Sequence, residues 1–146
     1  MKKVDLYADG SCSGNPGPGG WGCILIYKDI TKEFSGGCSQ TTNNRMEITG
    51  IIEGLKKLKE PCEVQIYTDS AYVYNAIENR WISKWISNGW KTSAKKDVEN
   101  IDLWKELLEL LNKHEVSFHK VKGHSDNMLN NRCDKLATEQ TAKFKT

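Results

Sequence analysis

The chain has 146 residues, 38% of them hydrophobic and 27% charged, with a net charge of +2 and a pI of about 8.2. That length allows one domain with a real core, and the composition excludes a disordered or fibrous protein. The net charge is too mild to argue nucleic-acid binding from the total, so any basic footprint must be local.

No apolar run is long enough to span a membrane, and Met1-Lys2-Lys3 runs straight into a short strand rather than a signal peptide. Cys12, Cys23, Cys38, Cys62 and Cys133 are odd in number and lack C-x-x-C spacing. Reduced thiols in a cytosolic protein are expected, not a disulfide frame or a zinc site. His114, His119 and His124 are evenly spaced, but residues five apart share no helix face, and His119 falls in a predicted strand. A three-histidine zinc site is therefore not expected.

The first predicted strand is Val4–Asp9, which delivers Asp9 into the small residues Gly10 and Ser11. Ser11–Gly20 reads as a turn-rich hairpin connection. Its glycines lack the Gly-Lys-Ser/Thr ending of a phosphate loop. Trp21–Tyr27 and Glu33–Gln40 are the next strands, giving an antiparallel meander. Thr41-Thr42-Asn43-Asn44 supplies N-cap chemistry for a helix to about Lys59, with Ile48, Ile51, Ile52, Leu55 and Leu58 as its apolar stripe. Gly50 and Gly54 lie near Glu47 on the helix wheel. Each costs a helix roughly 1 kcal/mol against alanine, which is tolerable if this face lies close to a sheet.

Glu63–Thr68 is the fourth strand, and it runs into Asp69-Ser70 much as the first runs into Asp9-Gly10. Helix follows over Ser70–Asn79, then a shorter stretch over Arg80–Ser87. Trp81, Trp85 and Trp90 are interleaved with Lys84, Lys91, Lys95 and Lys96. Aromatic faces among lysines suit a nucleic-acid backbone, and equally a local subcore with solvated lysines around it. Asp97–Asn112 is an amphipathic helix with Ile101, Trp104, Leu108 and Leu111 inward, so Trp104 is assigned to packing. Glu115–Val121 is the fifth strand. A loop from Lys122 to Asp126 leads to a last helix over Asn127–Lys143, with Leu129, Cys133, Leu136 and Ala137 inward and Asp134 beside that stripe.

This order predicts an α/β fold: a mixed five-stranded sheet with helices on both faces, strands 1–3 a meander and strands 4 and 5 parallel to strand 1. Parallel pairing of strands 1 and 4 would bring Asp9 and Asp69 together where open α/β sheets bind ligands, with Glu47 above them and Asp134 within reach. Clustered carboxylates repel unless a cation neutralises them, which points to a divalent-metal site. Taken singly, each Asp reads as a turn or cap residue, Glu47 as a complement to the helix dipole, and Asp134 as a solvated charge.

The phrases Tyr7-Ala8-Asp9-Gly10-Ser11, Thr42-Asn43-Asn44-Arg45-Met46-Glu47, Tyr67-Thr68-Asp69-Ser70, Val121-Lys122-Gly123-His124 and Asn131-Arg132-Cys133-Asp134 occur in this order. In this set the chain resembles type I ribonuclease H over essentially its whole length. The resemblance implies endonucleolytic cleavage of the RNA strand of RNA–DNA hybrids without sequence preference, leaving 5′-phosphate and 3′-hydroxyl ends. It implies two Mg²⁺ ions, with Mn²⁺ as a substitute, held by Asp9, Glu47, Asp69 and Asp134, with Asp9 bridging. His124 would assist proton transfer or departure of the product phosphate. Cys12, Ser13, Asn15, Asn43 and Asn44 would line the minor groove, and Thr42 and Arg45 would hold a DNA-strand phosphate. Trp81, Lys84, Trp85 and Lys91 would belong to a basic protrusion at about residues 80–98 that grips the DNA strand.

The expectation is thus a stand-alone, cytoplasmic, monomeric enzyme formed by residues 1–146 as one domain. It would need no obligate protein partner, make no membrane contact, and lack a separate hybrid-binding domain. Two departures stand out. The chain reads Ile86-Ser87-Asn88 where many members of the family it resembles carry a basic cluster, which implies weaker binding and a shallower salt dependence, and Ala71 where a glutamine is common, which leaves one groove contact unassigned. The rival readings are another nuclease of the same fold acting on DNA, a non-catalytic hybrid-binding module, and a structural protein whose acids are caps and surface charges.

Overall fold

The computed structural model describes residues 1–122 and 127–145. In chain order it contains β1 (Lys2–Cys12), β2 (Gly17–Tyr27), β3 (Ile30–Thr41), α1 (Asn43–Lys56), β4 (Cys62–Thr68), α2 (Ala71–Glu78), α3 (Trp81–Ser87), α4 (Ile101–Leu111), β5 (Glu115–Lys120) and α5 (Met128–Lys143). The strands form one sheet in the order β3-β2-β1-β4-β5. β1–β2 and β2–β3 pair antiparallel, and β1–β4 and β4–β5 pair parallel. The mixed five-stranded sheet expected from the element order is therefore the one observed.

Side chains alternate across β1 and β2, and the two faces carry separate cores. Leu6, Ala8, Cys23 and Leu25 join the larger core with Ile48, Ile51, Ile52 and Leu55 of α1, and with Val73, Ile82, Trp104 and Leu107 of the following helices. On the other face Ile24 packs with Cys133 and Leu136 of α5, bordered by Tyr7, Ile26 and Leu129. The α1 stripe is buried as expected except Leu58, which lies beyond the helix and is only partly buried. In α4 the deepest residues are Trp104 and Leu107, so the inward face is centred one position away from the predicted Leu108.

Three of the boundaries that differ from expectation have a clear physical reason. Ser11–Gly20 is mostly strand: Gly10, Ser11 and Cys12 pair with Trp21, Gly20 and Gly19, which confines the connection to Ser13–Pro16. Gly14 serves that connection at a φ of 81°, whereas Gly10 and Gly20 mark close packing. A Cβ on Gly10 would lie 2.5 Å from the backbone nitrogen of Glu47 in α1, and one on Gly20 would lie 2.5 Å from the carbonyl oxygen of Ala137 in α5. The α1 helix stops at Lys56 because Lys57 and Leu58 donate to the Gly54 and Leu55 carbonyls, a tightened last turn. The α4 helix starts at Ile101 rather than Asp97. The Val98 N–H donates to the Trp90 carbonyl, its side chain is buried, and Lys91 pairs with Asp97, so this segment folds back onto the residues that follow α3.

The close approach inferred for the α1 glycines is present. A Cβ on Gly54 would sit 2.9 Å from Leu6 Cδ1, whereas one on Gly50 would meet nothing nearer than the Asp9 carbonyl oxygen at 3.3 Å. Gly10→Ala is therefore expected to destabilise the protein by about 3 kcal/mol, because the obstruction is helix backbone. Gly50→Ala is expected to change stability by no more than about 1 kcal/mol, its helix propensity offsetting the tight contact. Urea unfolding of the two variants checks this, and equal losses would contradict it.

Candidate active site

The pairing of β1 with β4 ends at Ala8↔Thr68, so the next residue on each chain is an aspartate. Asp69 lies just past the end of β4, while Asp9 is within β1, which continues along β2. Asp9 is 3% exposed and its Oδ1 accepts from the Gly10 N–H at 2.9 Å. Glu47 is in the first turns of α1, whose N-cap Thr42 accepts from the Arg45 N–H at 3.2 Å. Because the backbone of α1 rests on Gly10, Glu47 is carried down to the aspartates and is 5% exposed.

One carboxylate oxygen from each of Asp9, Glu47 and Asp69 lies within 4.8 Å of the others. Asp134 of α5 is half-buried and lines the same cavity of about 140 Å³, together with Gly10, Asn130 and Asn131. The four expected acids are thus gathered, three in a tight cluster and Asp134 beside it.

Burial, then the neighbouring Asp69 charge, pushes the Asp9 carboxyl up to about 8. Burial and the charges of Asp9 and Asp69 raise Glu47 well above the usual carboxylate range. The two carboxyls act on one another, so the uptake of protons belongs to the pair. Glu47 Oε2 is buried with no hydrogen-bond partner among the described residues. Desolvated oxygen donors with uncompensated charge fit a hard divalent cation, and no cysteine lines this cavity.

The residues expected to touch substrate fall into two regions. Asn15 Oδ1 accepts from the Asn43 N–H at 3.2 Å and joins the β1–β2 turn to the start of α1. The Cys12 thiol donates to the Thr41 carbonyl there, and the Ser13 N–H donates to the Pro18 carbonyl. Asn15, Thr42 and Asn44 line a cavity of about 350 Å³ with Glu99 and Asn100. Arg45 faces this region with its fork closed on Asp102 at 2.8 and 3.0 Å, and it also donates to Asn100.

Farther along, Trp81, Lys84, Trp85 and Lys91 line a separate cavity of about 380 Å³. Trp85 stacks at an angle on Trp81, Trp90 and the fully buried Trp104, so its inner edge is core and its outer edge faces the lysines. Lys91 is ion-paired to Asp97. His124 lies outside the described residues.

The ribonuclease H family model matches residues 1–142. A ribonuclease H of Caldicellulosiruptor saccharolyticus is 64% identical over 137 residues, 94% of each chain, and one of Chlorobium phaeovibrioides is 62% identical over 136 residues, 93% of each. The chain belongs to the ribonuclease H family. Among solved structures it resembles LC9-RNase H1, a type 1 RNase H with the type 2 active-site motif, with a TM-score of 0.88 and 30% identity over 99% of this chain and 74% of that one. It shares the fold of LC11-RNase H1, solved in complex with RNA/DNA hybrid, with a TM-score of 0.72 and 22% identity over 96% of this chain and 97% of that one.

As a ribonuclease H the protein is an enzyme, a nuclease that hydrolyses phosphodiesters, and its family is metal-dependent. Among the described residues no helix is long and apolar enough to cross a membrane.

Two features of these cavities escaped the sequence reading. Asn130 stands one helical turn before Asp134, a spacing that puts both on one side of α5. Glu99 and Asn100 were assigned to the first turn of a helix, and the later start of α4 at Ile101 leaves them outside it, lining a cavity with Thr42.

The raised carboxyls set the sign of a pH effect. Protonated Asp9 and Glu47 stabilise the metal-free fold fully below about pH 4, and this contribution is lost as pH rises toward 8. In EDTA the melting temperature is expected to fall by about 5 °C or more between pH 5 and pH 8.5, and Mg²⁺ to reverse most of the fall. A Glu47→Gln variant should show a shallower slope. A pH-independent melting temperature that ignores Mg²⁺ would contradict this account.

Proposed function

We propose that the protein hydrolyses the RNA strand of RNA–DNA hybrids, without sequence preference, at the Asp9–Glu47–Asp69–Asp134 cavity, leaving 5′-phosphate and 3′-hydroxyl ends. The observation that carries this reading is the triad of carboxylates within 4.8 Å, Asp9 and Glu47 buried and Asp69 half-buried, with no cationic side chain lining their cavity. Two Mg²⁺ ions bound there, replaceable by Mn²⁺, would supply the positive charge that activates water and stabilises the leaving oxygen.

The chain's own groups then divide the work. Asp9, fixed by the Gly10 N–H and central to the cluster, would be the shared ligand. Glu47 and Asp69 would flank it, and half-buried Asp134 would complete the set from α5. His124 would move a proton to or from the departing product.

The substrate reading assigns the 2′-hydroxyl side of the minor groove to Cys12, Ser13, Asn15, Asn43 and Asn44. Thr42 and Arg45 would take a DNA-strand phosphate, with Asp102 holding Arg45 in place. Trp81, Lys84, Trp85 and Lys91 would grip the DNA strand through ring faces and ammonium groups. A neighbour of the same fold solved with RNA/DNA hybrid supports this choice of substrate. We further read residues 1–146 as one catalytic domain acting as a cytoplasmic monomer. Five free cysteines are consistent with a reducing compartment.

End-labelled RNA–DNA hybrid incubated with and without Mg²⁺ tests the proposal. The RNA strand alone should be cut, only with metal, and Asp9→Asn should lower the rate about a thousandfold or more. Hybrid binding without cutting, or equal cutting of duplex DNA, would overturn it. Lys84 makes no ion pair among the described residues and is exposed, so Lys84→Ala should leave stability intact. It should weaken hybrid binding and lower the salt slope of log Kd by about 1. An unchanged slope would remove Lys84 from the interface.

A further inference from the structure

Asn130 is 1% exposed in the first turn of α5 and lines the carboxylate cavity. Its backbone N–H is satisfied by the side chain of the N-cap Asn127 at 2.8 Å. Its side-chain Oδ1 is not: it is buried, with no hydrogen-bond partner among the described residues. A buried carbonyl left unmet is unfavourable, and an apolar residue at this position would avoid that cost.

The one other buried side-chain oxygen in this state among the described residues is Oε2 of Glu47, a residue that lines the same cavity. Two unmet acceptors therefore converge on one space of about 140 Å³ walled mainly by carboxylates, which in their ionised form donate nothing. What both lack is a donor that enters with positive charge.

A hydrated divalent cation supplies such donors. Its bound waters turn their oxygens to the metal and their hydrogens outward, and Mg²⁺ keeps several of them. We infer that Asn130 is a positioning residue for the metal site: its Oδ1 accepts a hydrogen bond from a water carried by a cation held on the carboxylates. It neither replaces a carboxylate ligand nor touches the reacting phosphate. Partners of this kind orient the ligands around a metal and set its affinity. The inference rests on the metal-site reading given above.

Calorimetric titration of Mg²⁺ into the metal-free protein, with melting temperatures taken with and without Mg²⁺, tests it in wild type, Asn130→Leu and Asn130→Ser. Leucine has nearly the same size and no acceptor. Its Mg²⁺ affinity should fall about tenfold and its Mg²⁺-induced rise in melting temperature should shrink, with the metal-free melting temperature no lower than wild type. Serine keeps an acceptor and should fall between the two, and it serves if the leucine variant does not fold. Mg²⁺ affinity within twofold of wild type in both variants would overturn the inference, as would a loss confined to metal-free stability. In either case wild-type binding would leave the metal site itself standing. Absence of Mg²⁺ binding by the wild type would instead overturn the metal-site reading, and the role of Asn130 with it.

Discussion

Holding Asp9, Glu47 and Asp69 together is unfavourable in the metal-free protein, and much of the fold is arranged around that difficulty. Two unit charges within 4.8 Å repel by roughly 3 kcal/mol at an effective dielectric of about 20. Three such pairs would approach the whole stability of a typical domain, on the order of 5–15 kcal/mol. The cluster must therefore take up protons or a cation, and the raised Asp9 and Glu47 carboxyls are the protonic answer. Its persistence depends on a scaffold that gives the carboxylates little room to separate: the strand register leaves Asp9 and Asp69 adjacent, and α1 presses Glu47 onto them.

That scaffold works because helix backbone approaches sheet backbone with no side chain between. Gly10 admits α1 on one face, and Gly20 and Gly22 admit α5 on the other, where a Cβ on Gly22 would stand 2.6 Å from Leu136 Cβ. The first contact sets the height of Glu47 above the sheet. The second brings the first two turns of α5, with Asn130 and Asp134, against the same point. An apolar cavity of about 380 Å³, lined by Val4, Leu25, Tyr27 and Phe34 among others, lies near the start of β1, away from the carboxylates. It plays no part in the chemistry at the carboxylates.

Strand alternation and the apolar stripe of α1 made the sheet, its topology and the meeting of four acids legible in the sequence. The glycine-rich stretch after Asp9 was not, because glycine marks both turns and close packing, and only the partner helices decide between them. The start of α4 was hidden for a related reason. Asp97 carries ordinary helix-start chemistry, but Asp97 and Val98 are engaged by Lys91 and Trp90, in the segment after α3. The tryptophans allowed two readings, and the structure shows the packing one, since Trp85 is half-buried against Trp104, with Lys84 and Lys91 beside it in one cavity. Asn130 carried no signal beyond its spacing from Asp134, because an unmet acceptor is a property of surroundings, not of residue type.

The polar contacts between these regions couple the acid cluster to the aromatic protrusion. Arg45, two residues before Glu47, closes its fork on Asp102 in the first turn of α4 and donates to Asn100. Asn100 and the buried Trp104 both donate to the Tyr72 hydroxyl of α2, and Trp104 supports Trp85 from below. Asp102 is mostly exposed, so the ion pair contributes little stability, about 1 kcal/mol at most. Its effect is geometric. It ties the N-terminus of α1, and with it Glu47, to the helices that carry the protrusion. A duplex held across both regions would meet them at a fixed separation, and that separation, not any base contact, would select the bond that lies over the carboxylates.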